Sequence, residues 1–207
     1  MMTPALFLDR DGTLVHPRHY PARPEELVLY DGIGSGLRRL QAAGFRLVLI
    51  TNQAGIARGY FSEADLDRMH AHLRAELAAL GVALDAIYYC PHHIEGAVAP
   101  YAHACDCRKP APGMLLHAAI DLDLDLDSSW FLGDILDDVE AGNRAGCRTV
   151  LIDLGSEAPP TSEVRRPTAV ARNTVHALEI VAAAAGLAAA PTTHVPARWR
   201  EEAVHVR

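Results

Sequence analysis

The chain has 207 residues, half of them hydrophobic, with 19 lysines and arginines against 26 acids and a net charge of −7. That length suits one well-filled core, and the acidic balance excludes a general nucleic-acid binder, which needs a basic face. The longest apolar runs are far too short to cross a bilayer, so no membrane partner is expected.

Residues 5–8 form an apolar run with the length of a buried strand, and it ends on Asp9 and Asp11, followed by the turn-forming Gly12-Thr13. Four further strands are predicted at 46–50, 86–89, 130–132 and 149–153. Helices are predicted between them: 32–43 with Gly44 as its stop, a second opened by Ser62 and Asp65 and closed by Gly81, then 114–122 and 137–145. Such alternation implies an α/β fold, a doubly wound and mostly parallel sheet. Residues 91–109 interrupt it with a polar stretch rich in Pro, His and Cys, too long for a bare connection. The alternating Asp and Leu of 122–127 read as a solvated turn. Beyond 153 come a loop (155–166), an edge strand at 168–170 and an Ala-rich helix over 174–190. The expected organisation is one domain over 1–190, with no large cap, and a disordered tail over 191–207. Met1-Met2-Thr3-Pro4 has no basic stretch ahead of an apolar run, so a cytoplasmic protein without a signal peptide is expected.

Four segments at strand ends carry the chemistry. Asp9-Arg10-Asp11-Gly12-Thr13 delivers two carboxylates to the crevice outside a sheet's carboxyl end, where like charges so close call for a cation. Thr51-Asn52-Gln53-Ala54-Gly55 offers a hydroxyl, amides and free backbone N–H groups to phosphate oxygens. Arg108-Lys109 supplies a planar fork and a point charge. Gly133-Asp134 brings a third acid, which could reach the cation held by Asp9, while Asp137 reads as the cap of the next helix. An electrophile too anionic for ordinary nucleophiles, with a divalent metal, points to phosphoryl transfer through an aspartyl-phosphate. In the interrupting loop, Cys90, His92, Cys105 and Cys107 offer three thiolates and an imidazole, as a closed tetrahedral Zn²⁺ site needs. His93 and His103 are rival ligands. In a chain without export signals, metal or free thiols precede disulfides, and Cys147 reads as a small core residue.

Taken in order, the four motifs resemble the haloacid-dehalogenase (HAD) superfamily of phosphotransferases, over about residues 5–153. The resemblance implies Asp9 as nucleophile and Asp11 as the acid that protonates the leaving oxygen and then activates water. It implies Mg²⁺ on the Asp9 carboxylate, the Asp11 main-chain carbonyl and Asp134, with Thr51 and Lys109 balancing the transferring group. The segments around Tyr88-Tyr89-Cys90-Pro91-His92-His93, Cys105-Asp106-Cys107-Arg108-Lys109-Pro110 and Thr51–Gly59 are similar to the D-glycero-D-manno-heptose-1,7-bisphosphate 7-phosphatases, whose neighbours are the histidinol-phosphate phosphatases. That likeness implies hydrolysis of the 7-phosphate, with His92 as the zinc ligand, and recognition of a small phosphorylated sugar by Arg108. Pro17, Arg18, His19 and Tyr20 would border the sugar, and Asn52 and Gln53 would bind substrate. One departure is Ile135, where the heptose enzymes carry a basic residue. It leaves nucleophile, acid and carboxylate ligands intact and puts contact with the far end of the substrate in question. The alternatives are a histidinol-phosphate or broader phosphomonoesterase and, in another class, a catalytically silent zinc-supported interaction module. An open site without a large cap also suits a monomer.

Overall fold

The computed structural model describes residues 2–202. Its sheet contains β1 (Thr3–Leu8), β2 (Arg46–Asn52), β3 (Ala86–Cys90), β4 (Leu124–Gly133), β5 (Arg148–Ile152) and β6 (Ala169–Ala171). All pair in parallel in the order β3-β2-β1-β4-β5-β6. The order therefore reverses between β1 and β4, and a crevice opens at their carboxyl ends.

Side chains alternate across a strand, and β1 shows why both of its faces are apolar. Leu6 and Leu8 join the core made with α1 (Ile33–Ala42), α2 (Glu63–Ala79) and α5 (Thr174–Ala184). Ala5 and Phe7 point into the other core, with α3 (Gly113–Leu122) and α4 (Leu136–Ala145). Each fully buried Leu or Phe contributes about 1.5–3 kcal/mol, so both layers fasten the strand that ends on Asp9. The α2 start follows its sequence signal: the Ser62 hydroxyl accepts from Asp65 N–H at 3.2 Å, and Asp65 Oδ2 accepts from Ser62 N–H at 2.8 Å.

Two local expectations are corrected. The stretch 122–127 is not a solvated turn: α3 ends at Leu122, Asp123 turns with φ +52°, and Leu124 opens β4 opposite Thr3. The period of two in Asp-Leu-Asp-Leu is a strand signal, and it buries Leu124 completely. A register shift between Pro4 and Leu6 is bridged by Ser129, which accepts from Ala5 N–H at 2.8 Å and donates to the Asp125 carbonyl at 2.5 Å. Nor does Asp137 cap α4: Asp138 Oδ2 accepts from Ile135 N–H at 3.3 Å, and Asp137 pairs with Arg165 at 2.8 Å.

The Ala-rich helix ends at Ala184, and the chain then returns to the sheet. His194 Nε2 lies 3.0 Å from Asp153 Oδ2, the Arg198 guanidinium also meets Asp153, and Trp199 packs on Leu136, Val139 and Leu151. A short helix, α6 (Ala197–Glu202), follows, and 203–207 of the expected tail lie outside the described residues. Among the described residues no helix is long and apolar enough to cross a membrane.

Candidate active site

Asp9 leaves β1 directly into the crevice, with its N–H donating to the Leu132 carbonyl of β4 at 2.9 Å. Lys109 meets it from the loop before α3. Lys109 Nζ is 2.6 Å from Asp9 Oδ1 and 2.5 Å from Asp138 Oδ1, and it donates to the Ile50 carbonyl at 3.1 Å. All three side chains are buried. Asp134, at the end of β4, completes a group whose carboxylates with Asp9 and Asp138 lie within 4.8 Å of one another.

Glycine makes this crowding possible. Gly12 has φ +81°, and a Cβ there would fall 2.3 Å from Asp134 Oδ2. A Cβ on Gly133 would fall 2.2 Å from the Asp138 Cβ. Three acids around one lysine leave excess negative charge in a poorly solvated place. Burial pushes the Asp9 carboxyl up to about 7, against the pull of Lys109 and with repulsion from Asp138 and Asp11. Burial, with Asp9 and Asp138 adding repulsion, pushes Asp134 up to about 8. Lys109 is held charged above its ordinary range, because Asp138 and Asp9 outweigh its burial.

Asp11 sits on the rim of this group. Its Oδ2 accepts from Arg10 Nε at 3.0 Å and lies 2.8 Å from Arg10 Nη2, with Gln53 Nε2 at 3.4 Å. Gln53 also donates to the Thr51 hydroxyl at 2.8 Å, which leaves the hydroxyl hydrogen of Thr51 available to a ligand oxygen. Asn52 turns its amide to the protein's own main chain. Both halves of its amide hold the Lys109 main chain, donating at 3.2 Å and accepting at 3.1 Å. Arg18, His19 and Tyr20 join Asp11, Asn52 and Gln53 around a cavity of about 230 Å³. Pro17 is exposed and does not line it. Arg108 donates to the His92 carbonyl at 3.3 Å.

Beside this edge the four sulfur and nitrogen ligands converge. Cys107 Sγ lies 3.1 Å from Cys90 Sγ, 3.2 Å from Cys105 Sγ and 3.3 Å from His92 Nδ1. Hydrogen bonding from Cys90 holds the Cys107 thiol down at about 5, close to the thiolate a metal requires. His93 is turned away to Arg58, at 3.2 Å. The His103 ring lies tilted against that of His92, with centroids 4.3 Å apart. Cys147 is buried among apolar neighbours, as expected.

Sequence reasoning missed two residues. Asp138 carried a signal, as an acid in the first turn of the helix that opens just after Asp134. Arg10 carried none beyond lying between two acids.

The comparisons agree with this geometry. A family profile described as HAD-hydrolase-like matches residues 106–177. D-glycero-beta-D-manno-heptose-1,7-bisphosphate 7-phosphatase of Escherichia coli (strain K12) is 44% identical over 161 residues, 77% of this chain and 84% of that protein. The enzyme of the same name from Pasteurella multocida (strain Pm70) is 47% identical over 155 residues, 74% of this chain and 84% of its own. The structure of D,D-heptose 1,7-bisphosphate phosphatase from B. bronchiseptica, complexed with magnesium and phosphate, superposes with a TM-score of 0.74 at 31% identity, covering 87% of this chain and 99% of that one. An aspartate pair at a switch point, a buried lysine between carboxylates and relatives of this closeness have one reading: the chain belongs to the HAD-like phosphatases, in the family of these heptose-bisphosphate phosphatases.

Proposed function

We propose that the protein removes the 7-phosphate of D-glycero-β-D-manno-heptose 1,7-bisphosphate through an aspartyl-phosphate on Asp9. The observation that carries the chemistry is Lys109, held between Asp9 and Asp138 at 2.6 and 2.5 Å. It keeps the nucleophilic carboxylate oriented and puts a fixed positive charge where the phosphoryl group arrives. The β-anomer follows from the relatives that are 44% and 47% identical.

The Asp9 carboxylate attacks phosphorus as the bond to the sugar oxygen breaks, and Asp11 gives that oxygen a proton. Asp11 then takes a proton from water, whose oxygen attacks phosphorus and releases Asp9 and inorganic phosphate. Thr51 donates its free hydroxyl hydrogen to the transferring group, and Asn52 holds the Lys109 backbone in place. Arg18, His19, Tyr20 and Arg108 stand where the sugar is received.

Asp9, Asp134 and the Asp11 main-chain carbonyl would hold Mg²⁺, and the donor set fits it: hard oxygens, with Asp9 and Asp134 raised first by burial and then by neighbouring carboxylates, both of which a cation would offset. When bound, the ion supplies neutralisation of the carboxylates and of the phosphoryl oxygens. Cys90, His92, Cys105 and Cys107 fit structural Zn²⁺, four soft or borderline ligands within 4.8 Å of one another. Zinc there stiffens the loop that presents Arg108 and Lys109. We further assign the protein to the cytoplasm as a monomer.

Phosphate release tests this, with Mg²⁺ and both heptose-bisphosphate anomers, histidinol phosphate and simple phosphomonoesters, and with Asp9→Asn as control. Fastest Asp9-dependent turnover is expected on the β-anomer. Preference for histidinol phosphate would replace the substrate, and turnover independent of Asp9 would overturn the mechanism.

A further inference from the structure

Arg10 has the largest side chain among the fully buried residues, at 1% exposure, and it lies between the two aspartates of the first motif. Its guanidinium grips a single oxygen, Oδ2 of Asp11, with Nε at 3.0 Å and Nη2 at 2.8 Å. The remaining nitrogen, Nη1, is buried without a hydrogen-bond partner among the described residues. Behind it, on α2, His70 is also buried with its Nε2 unpartnered. Burial, together with the charges of Arg10 and Arg74, pushes His70 down to about 3, so it stays neutral and adds no second cation beside Arg10. Asp11 is thus the acid that answers this guanidinium.

A buried guanidinium with an open hydrogen-bonding nitrogen is a poor way to stabilise a fold. Desolvating it costs several kcal/mol, and a hydrophobic side chain of similar volume is often neutral or better. The main chain of Arg10 already does the structural work of the turn, its carbonyl accepting from Leu14 and Val15 N–H at 3.0 Å each. The side chain must therefore act elsewhere, and Asp11 is what it touches.

We propose that Arg10 is the positioning residue of the proton-transfer step, fixing the Asp11 carboxyl in one orientation relative to the scissile bond. This rests on the role given to Asp11 above. Without the grip, the partly exposed Asp11 side chain rotates among staggered positions. It then reaches the leaving oxygen, and later the attacking water, in only a fraction of encounters. Binding of the phosphoryl group by Thr51 and Lys109 does not pass through Arg10.

The test compares Arg10→Met and Arg10→Lys with wild type on two leaving groups. One substrate is an alkyl ester, the heptose bisphosphate, whose alkoxide must be protonated. The other is 4-nitrophenyl phosphate, whose phenolate leaves with little help. In Arg10→Met, kcat/KM for the alkyl ester is expected to fall on the order of 100-fold and that for the aryl ester less than about tenfold. KM for the alkyl ester should hold, the melting temperature should be equal or higher, and Arg10→Lys should recover part of the alkyl rate. Equal loss on both esters, or no loss on either, overturns the proposal. If Arg10→Met does not fold, the alkyl-to-aryl ratio in Arg10→Lys decides in the same way. A wild type that is active on another alkyl phosphate but not on the heptose bisphosphate would displace the substrate assignment alone, and the ratio measured on that ester would still judge Arg10.

Discussion

The catalytic floor draws Asp9, Lys109, Asp134 and Asp138 from four places: the end of β1, the loop before α3, the end of β4 and the first turn of α4. The neighbouring Cys/His group takes all its side chains from β3 and the loop that follows it, between Cys90 and Cys107. The first is an arrangement of like charges that the fold buries together, visible in Asp9 and Asp134 carboxyls lifted to about 7 and 8 by burial first and by neighbouring carboxylates second. The second is a set of thiols and an imidazole that share hydrogen bonds and gather a loop otherwise short of regular structure. The scaffold therefore works against repulsion to hold the catalytic group, whereas the Cys/His group supports its own segment.

Breaking the first group should abolish chemistry. Replacing Lys109 with Met removes the positive charge that faces Asp9 and Asp138. The expected loss in kcat is 1,000-fold or more, on the order of the cost of removing a preorganised electrostatic partner. Steady-state phosphate release measures it, and a loss below tenfold would mean that Lys109 only holds the loop. Breaking the second group should weaken the fold. Cys107→Ser removes the sulfur that lies within 3.3 Å of Cys90, Cys105 and His92. Stability should fall by about 3 kcal/mol, because binding at a structural site is folding free energy. Thermal melts and metal analysis check this together: wild type should carry zinc and the variant should not.

The same contrast explains what was legible in the sequence. The convergence of Cys90, His92, Cys105 and Cys107 could be read because their spacing is local, and the mostly parallel sheet because strand and helix patterns alternate along the chain. Asp138 was missed, since its pairing with Lys109 exists only after α4 packs at the end of β4. Asn52 was read as offering its amide to substrate, and no pattern in the sequence shows that this amide also holds the Lys109 backbone. The strand character of Leu124 was present as a period of two, but its acidic partners disguised a face that buries only alternate residues.

A third change should stabilise the metal-free protein while disabling it. Asp134→Asn takes one charge out of the repelling set, so its melting temperature in Mg²⁺-free buffer should rise, by on the order of 1–3 kcal/mol of stability. In wild type, Mg²⁺ should raise the melting temperature, and in the variant that response should shrink. The sign follows from the raised carboxyl: the folded state holds a proton that the unfolded chain releases near pH 4. Stability of the metal-free wild type therefore falls as pH climbs from about 4 towards 8. A destabilised Asp134→Asn would show that Lys109 already neutralises the group.

The smallest effect separates the layer behind the catalytic floor from the floor itself. His70 is 7% exposed, and burial, with Arg10 and Arg74, lowers it from 6.5 to about 3. The unfolded chain takes up this proton below about pH 6.5, and the folded chain does not until about 3. The stability due to a neutral His70 is therefore complete above pH 6.5 and is lost as pH falls through the interval. Between pH 7 and 5 the loss is about 2 kcal/mol. Urea unfolding of wild type and His70→Phe at the two pH values isolates it, because the carboxyls of the floor are present in both and cancel in the difference. The variant should lose about 2 kcal/mol less than wild type on acidification. Equal losses would mean that His70 protonates normally in the fold, and Arg10 would then have a second cation beside it. That would require a counter-charge which neither Asp11 nor any apolar residue of α2 supplies.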